Sequence, residues 1–162
     1  MKSPIFKVSL VNLYTIFIPK EIFLPFATKK MGRVQVIVTV KKISINFYAA
    51  VKKDKNSGDY KMMFSKAKQK ELGLSLGDIF EMQLFEDKTK YGVEMPEELE
   101  EVFLTDVEAF KIFETLTPGK QRSIIYGVLR FKSSQQKIDK AFIMCENLKR
   151  RNFDTLRIFK LD

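Results

Sequence analysis

The string Leu116-Thr117-Pro118-Gly119-Lys120-Gln121-Arg122 is where the residue types point most directly to a ligand. Thr117 is a preferred helix N-cap and Pro118 suits the first helical position, while the N–H groups of a first turn lack partners inside the helix. Thr117 and Gly119, with Lys120 and Arg122 beside them, would cradle a phosphate or carboxylate. The string lacks the spaced glycines of a nucleotide-binding loop. The same residues also read as a capped helix whose Lys120 and Arg122 meet the acidic segment at residues 97–101. A second concentration of charge lies upstream, in Lys29, Lys30, Arg33, Lys41, Lys42, Lys52, Lys53 and Lys55. It reads either as a contact face for nucleic acid or an anionic surface, or as a solvated strand face. Arg reads bases bidentately, and only Arg33 in this set can do so, which argues against sequence-specific recognition.

Other chemistries are closed by composition. The 162 residues include no His, which excludes His general bases, Ser-His or Cys-His nucleophiles and His-rich zinc sites. Cys145 is the single Cys, so neither an intramolecular disulfide nor a Cys-pair metal site can form. Its place on an apolar stripe reads as a buried, inert thiol. Glu94, Glu97, Glu98, Glu100 and Glu101 point around a helix rather than converging, so they read as a solvated helix start and not a cation site. No catalytic residue, metal site or cofactor is assigned. An enzyme is left only carboxylate or Lys chemistry, such as Lys120 with a nearby Glu.

Charge and hydropathy divide the chain in two. Net charge is +9, with 17 Lys and Arg against 8 Asp and Glu in residues 1–90, 4 against 8 in residues 91–131, and 8 against 4 in residues 132–162. This asymmetry predicts one unit over residues 1–90 and another over 91–162. Lys2 and Lys7 precede an apolar run, but Asn12 interrupts it, no small-residue cleavage site follows, and it is too short to span a bilayer. Cytoplasmic residence is expected.

In the first unit, residues 33–40 place Val34, Val36, Val38 and Val40 on one face, and residues 43–51 do the same with Ile43, Ile45, Phe47, Ala49 and Val51. A period of two predicts half-buried strands. Residues 79–86 read as another strand, and residues 13–18, apolar on both faces, as a central one. Ser65 caps a short helix over residues 66–72, and Gly73 stops it. Residues 14–20 echo residues 60–66, each leading through a short helical element and a Gly (Gly32, Gly77) into a strand. Two such copies would close a small barrel with local twofold symmetry. Beyond Tyr91 the period turns helical. Pro96 opens one helix. Thr105 or Asp106 caps a second that buries Val107, Phe110, Phe113 and Leu116. Thr117 caps a third with Ile124, Ile125, Val128 and Leu129 inward. Ser133 or Ser134 opens a fourth with Ile138, Ala141, Phe142, Cys145 and Leu148 inward.

The string at residues 116–122 with Ile124, Ile125 and Tyr126, preceded by Pro96-Glu97-Glu98-Leu99 and Phe113, resembles the YdeI/OmpD-associated family of bacterial proteins. Ile18-Pro19-Lys20, Gly32-Arg33-Val34-Gln35-Val36 and residues 70–78 resemble the small β-barrel domain of unknown function often fused ahead of it. Together these cover roughly residues 5–151. The chain departs from the family at Tyr126-Gly127, where the family often has Tyr-Trp, and at residues 132–137, where it often has an Arg-rich stretch. The resemblance implies an α+β protein: a small double-split barrel related to the AbrB/MazE type, whose members are mostly DNA-binding dimers, followed by a bundle of short helices. It links the helical part to bacteriocin protection and antimicrobial-peptide tolerance, and it supplies no catalytic residues. The expected function is therefore a non-enzymatic binding protein with a protein or anionic partner. The alternative is a nucleic-acid binder using the basic barrel face.

Overall fold

The computed structural model describes residues 1–161. The chain forms two compact units, Met1–Lys88 and Thr89–Asp162. The first holds six antiparallel strands in the order β1-β6-β3-β4-β5-β2. These are β1 (Phe6–Ser9), β2 (Thr15–Ile18), β3 (Arg33–Val40), β4 (Ile43–Lys53), β5 (Tyr60–Met63) and β6 (Ile79–Glu86). β3 sits inside the sheet because Val34, Val36 and Val38 are fully buried and its two edges pair with β4 and β6. β4 is the longest strand, and it passes from β3 to β5 along its length. β1 and β2, the ends of the order, lie beside each other without ladder pairing among the described residues. The sheet is thus a nearly closed barrel, followed in the chain by short helices, and the protein is α+β.

The sequence echo has a structural counterpart. β2–α1–β3 and β5–α2–β6 repeat one order of elements, with α1 at Lys20–Thr28 and α2 at Lys66–Glu71. The matching strands pair with each other, β2 with β5 and β3 with β6. α1 fills the interior with Phe23 and Phe26, whose ring centroids are 5.7 Å apart, and Phe23 also meets Tyr60 at 4.6 Å. α2 is capped by Ser65 Oγ, which accepts from the Lys68 N–H, and Gly73 takes the left-handed φ of 65° that follows it.

Two expectations need correction. β2 is not central: it pairs only with β5, and Leu13 and Tyr14 ahead of it are exposed. An apolar outer face there lines a surface groove rather than a second core. β4 keeps its expected inward face at Ala49 and Val51, with Ile45 and Phe47 packed against the core, but Ile43 at its start is exposed.

The second unit is built of α3 (Glu97–Thr105), α4 (Val107–Glu114), α5 (Pro118–Leu129) and α6 (Ser134–Lys149). Its core gathers Leu99, Phe113, Ile124, Ile125, Val128, Met144, Cys145 and Leu148. Asp106, Thr117 and Ser133 are the caps, and Ser133 completes a capping box with Gln136. Val107, Leu129 and Phe142, expected in the core, are exposed. Leu129 and Phe142 lie one residue off the buried stripe, beside Val128 and Ala141; Val107 is the first position after its cap, and Ala109, Ile112 and Phe113 carry the contact instead. After α6 a left-handed Arg151 (φ 63°) turns the chain back and buries Ile158 and Phe159 in the same core. The Asn147 carboxamide holds this return by donating to the Ile158 and Lys160 carbonyls, both at 2.9 Å.

Candidate functional site on the barrel face

Strand alternation decides which side chains face out. With Ala49, Val51, Ile16, Ile18 and Met62 inward, the outward positions are Tyr48, Ala50 and Lys52 on β4, Lys61 and Met63 on β5, and Thr15 and Phe17 on β2. Register then sets their neighbours: Lys52 opposes Lys61, Lys61 opposes Phe17, and Met63 opposes Thr15. Arg33 extends the surface onto β3, opposite Ala50. Small Ala50 and Thr15 leave depressions around Met63, which is 69% exposed.

Two clefts result, sharing Ala50 and Met63. One of about 440 Å³ includes Asn12, Phe17, Lys52 and Lys61 in its wall. The other, about 420 Å³, includes Tyr14, Phe47, Tyr48, Lys66 and Lys68. Among the described residues, neither wall contains an Asp or Glu. Lys66 Nζ stands 5.6 Å from the Tyr14 ring centroid and Lys68 Nζ 4.8 Å from that of Phe47, so two lysines of this cleft stand over aromatic rings.

Behind this face Lys61 Nζ meets the Asp54 carboxylate at 2.9 Å. The Ser57 N–H and hydroxyl donate to the other carboxylate oxygen at 2.9 Å each. The Lys61 hydrogen bond first, and the Ser57 bonds second, hold the Asp54 carboxyl far below the usual carboxylate range. Asp54 therefore stays charged and holds Lys61 in an ion pair.

The eight upstream cations do not form one face. Lys29 and Lys30 follow α1, Arg33 begins β3, and Lys52 and Lys53 end β4; the Val51 N–H bond to the Gly32 carbonyl at 2.9 Å brings these segments together. Lys55 is nearby in the β4–β5 turn. Lys41 and Lys42 form the β3–β4 turn at the other end of an eight-residue strand, roughly 23 Å away at strand rise. There Lys41 helps line a larger cleft of about 1050 Å³, with Lys7 and Lys70 opposed by Glu71, Asp78 and Glu81. Its mixed charges favour no ligand sign, whereas the lining of the smaller paired clefts has Lys without Asp or Glu, Asp54 reaching only Lys61. Lys61, Lys66, Lys68, Tyr14 and Met63 were not among the cations and site residues that sequence reasoning singled out. They converge only through the β4–β5–β2 registers.

The helix start behaves as a cap. The Thr117 hydroxyl accepts from the Lys120 N–H at 3.4 Å, and the Thr117 carbonyl from the Gln121 N–H at 3.0 Å. Gln121 is buried and donates to the carbonyls of Phe113 (3.0 Å) and Glu114 (3.4 Å), joining the end of α4 to α5. Gly119 faces open space, Arg122 is half-buried, and Lys120 lies over the Phe153 ring at 5.7 Å. The acidic segment is answered elsewhere: Glu98 faces Lys137 at 3.6 Å and accepts from the Ser134 hydroxyl at 2.6 Å. Cys145 is fully buried, and burial pushes its thiol up to about 12. Gly127, where the sequence departs from the resemblance, is required by packing, because a Cβ there would lie 2.2 Å from a ring carbon of Phe159.

No helix of the described residues is long and apolar enough to cross a membrane. No curated protein and no solved structure matches the chain. Residues 92–151 match the family described as bacteriocin-protection, YdeI or OmpD-associated. That stretch runs from ahead of α3 to the end of α6 and includes the capped start of α5 and the buried Gln121 and Asn147. The likeness to the YdeI/OmpD-associated family thus lies in the helical unit, over residues 92–151.

Proposed function

We propose that this protein is a non-enzymatic, cytoplasmic binding protein that holds an anionic partner on the outer face of its barrel. In this reading the family's bacteriocin-protection description reflects capture of a partner, not a reaction performed on the bacteriocin. The observation that carries it is the pair of contiguous clefts with Lys52, Lys66 and Lys68 in their walls, beside Lys61 in its pair with Asp54, and no Asp or Glu in the lining. One-signed clefts concentrate counter-charge and speed association. The remaining groups support binding over catalysis: there is no His, the Cys145 thiol is buried and protonated, and Lys120 lines none of the clefts described. The absence of any disulfide-forming Cys pair suits a reducing compartment.

Retention on a heparin column tests the reading. The full chain should bind at low salt, and Lys52→Glu with Lys66→Glu should elute at markedly lower salt than the parent. Equal elution of parent and double variant, or earlier elution only from Lys41→Glu with Lys42→Glu, would assign the charge elsewhere. Fractionation of cells making the protein should place it with cytoplasmic markers.

A further inference from the structure

We infer that the groove takes single-stranded nucleic acid, held by stacking and phosphate contacts without sequence preference. This rests on the anion-binding reading above and narrows it to one polymer. Lysines alone would suit any polyanion, but these clefts also offer rings: Tyr14 is 43% exposed, and Tyr48 and Phe17 are half-buried in the walls. An acidic peptide has carboxylates for the ammonium groups and nothing flat for the rings. A duplex presents phosphates but keeps its base faces stacked inside. A single strand offers both a charge and a free base face at every residue, which matches walls that hold lysines and aromatic rings together. The Met63 side chain stands between the two clefts as an adaptable apolar contact. Lys supplies point charges rather than the bidentate fork that reads base edges, so the site is tolerant of sequence. The three strands β4, β5 and β2 give a face roughly 10 Å across, room for a few nucleotides rather than a long tract.

The test is anisotropy of a labelled oligothymidylate of about 15 nucleotides with the full chain, at about 20 and about 150 mM salt. Binding should weaken with salt, with a log–log slope of about −2 to −3 for three or four phosphate contacts on a single strand. Tyr14→Ala should weaken binding at least about fivefold through lost stacking. Lys52→Gln should lower the slope by about 0.7. Lys41→Gln, at the far turn, should change neither, and circular dichroism of each variant confirms folding. With no Trp in the chain, quenching of tyrosine emission reports stacking directly. A duplex or polyglutamate bound as tightly as the oligothymidylate overturns the single-strand assignment and leaves anion binding intact. Wild-type affinity in folded Tyr14→Ala and Lys52→Gln overturns the site. Failure to bind any polyanion, heparin included, at low salt overturns both this inference and the reading beneath it.

Discussion

Gly127→Ala should destabilise the helical unit, against the usual effect of that substitution. In the interior of a 12-residue helix, Ala is ordinarily favoured over Gly by up to about 1 kcal/mol. Here the new methyl would stand 2.2, 2.7 and 3.3 Å from three ring carbons of Phe159. The ring cannot simply swing away. Its edge meets Phe131 at 5.8 Å, its carbonyl accepts from Lys140 Nζ at 3.3 Å, and Asn147 pins the residues on either side. Forcing an extra methyl into such a site costs about 1–3 kcal/mol, so subtracting a helix gain of about 1 kcal/mol leaves a net loss of up to about 2 kcal/mol. For a unit of this size that lowers the midpoint by up to about 15 °C. Calorimetry on the full chain is the assay, with separate transitions fitted for the two units because one midpoint would not describe both. Introducing Phe159→Leu removes the ring edge. In that background Gly127→Ala should become neutral or stabilising, giving a coupling of about 2 kcal/mol. A raised midpoint for Gly127→Ala in the otherwise unaltered protein would refute the argument.

Three further outcomes follow from the same coordinates. Asp54→Asn should flatten the acid limb of barrel stability: the folded carboxyl lies below its ordinary 3.8, so its contribution is complete above that value and lost as pH falls beneath it, as urea midpoints at several pH values will show. Asn147→Leu keeps the branched shape but strips both donors from the Ile158 and Lys160 carbonyls; it should cost about 1–3 kcal/mol and open the C-terminal return to limited proteolysis. Cys145, fully buried with its thiol pushed up to about 12, should resist a disulfide reagent at pH 8 until denaturant is added; prompt labelling of the native protein would contradict its placement.

Much of the fold was legible because burial leaves a period. Val34, Val36 and Val38 alternate inward over the stretch that becomes β3, and Ile124, Ile125 and Val128 repeat as a helix should. Periodicity does not say how wide the contact is, so it extends the core to Val107, Leu129 and Phe142, whereas burial stops at Ala109, Val128 and Ala141. It also carries no sign of polar residues recruited inward. Gln121 and Asn147 look like surface residues, and only the approach of distant carbonyls gives them a reason to be buried. The candidate face was half legible. Arg33 and Lys52 were named, but Lys41 and Lys42 belong to the far turn, and the aromatic and lysine partners from residues 14, 61, 66 and 68 join only through strand register.

The direct opposition of Lys52 and Lys61 sets fold and function against each other in salt. Like charges facing across a ladder repel, and Asp54 relieves only one of the two. Dissolved ions screen that repulsion and so firm up the barrel, yet the same ions compete for the groove and loosen its hold on any polyanion. Melting temperature and affinity should therefore move in opposite directions along one salt titration, and a bound polyanion should do for the barrel at low ionic strength what salt does at high.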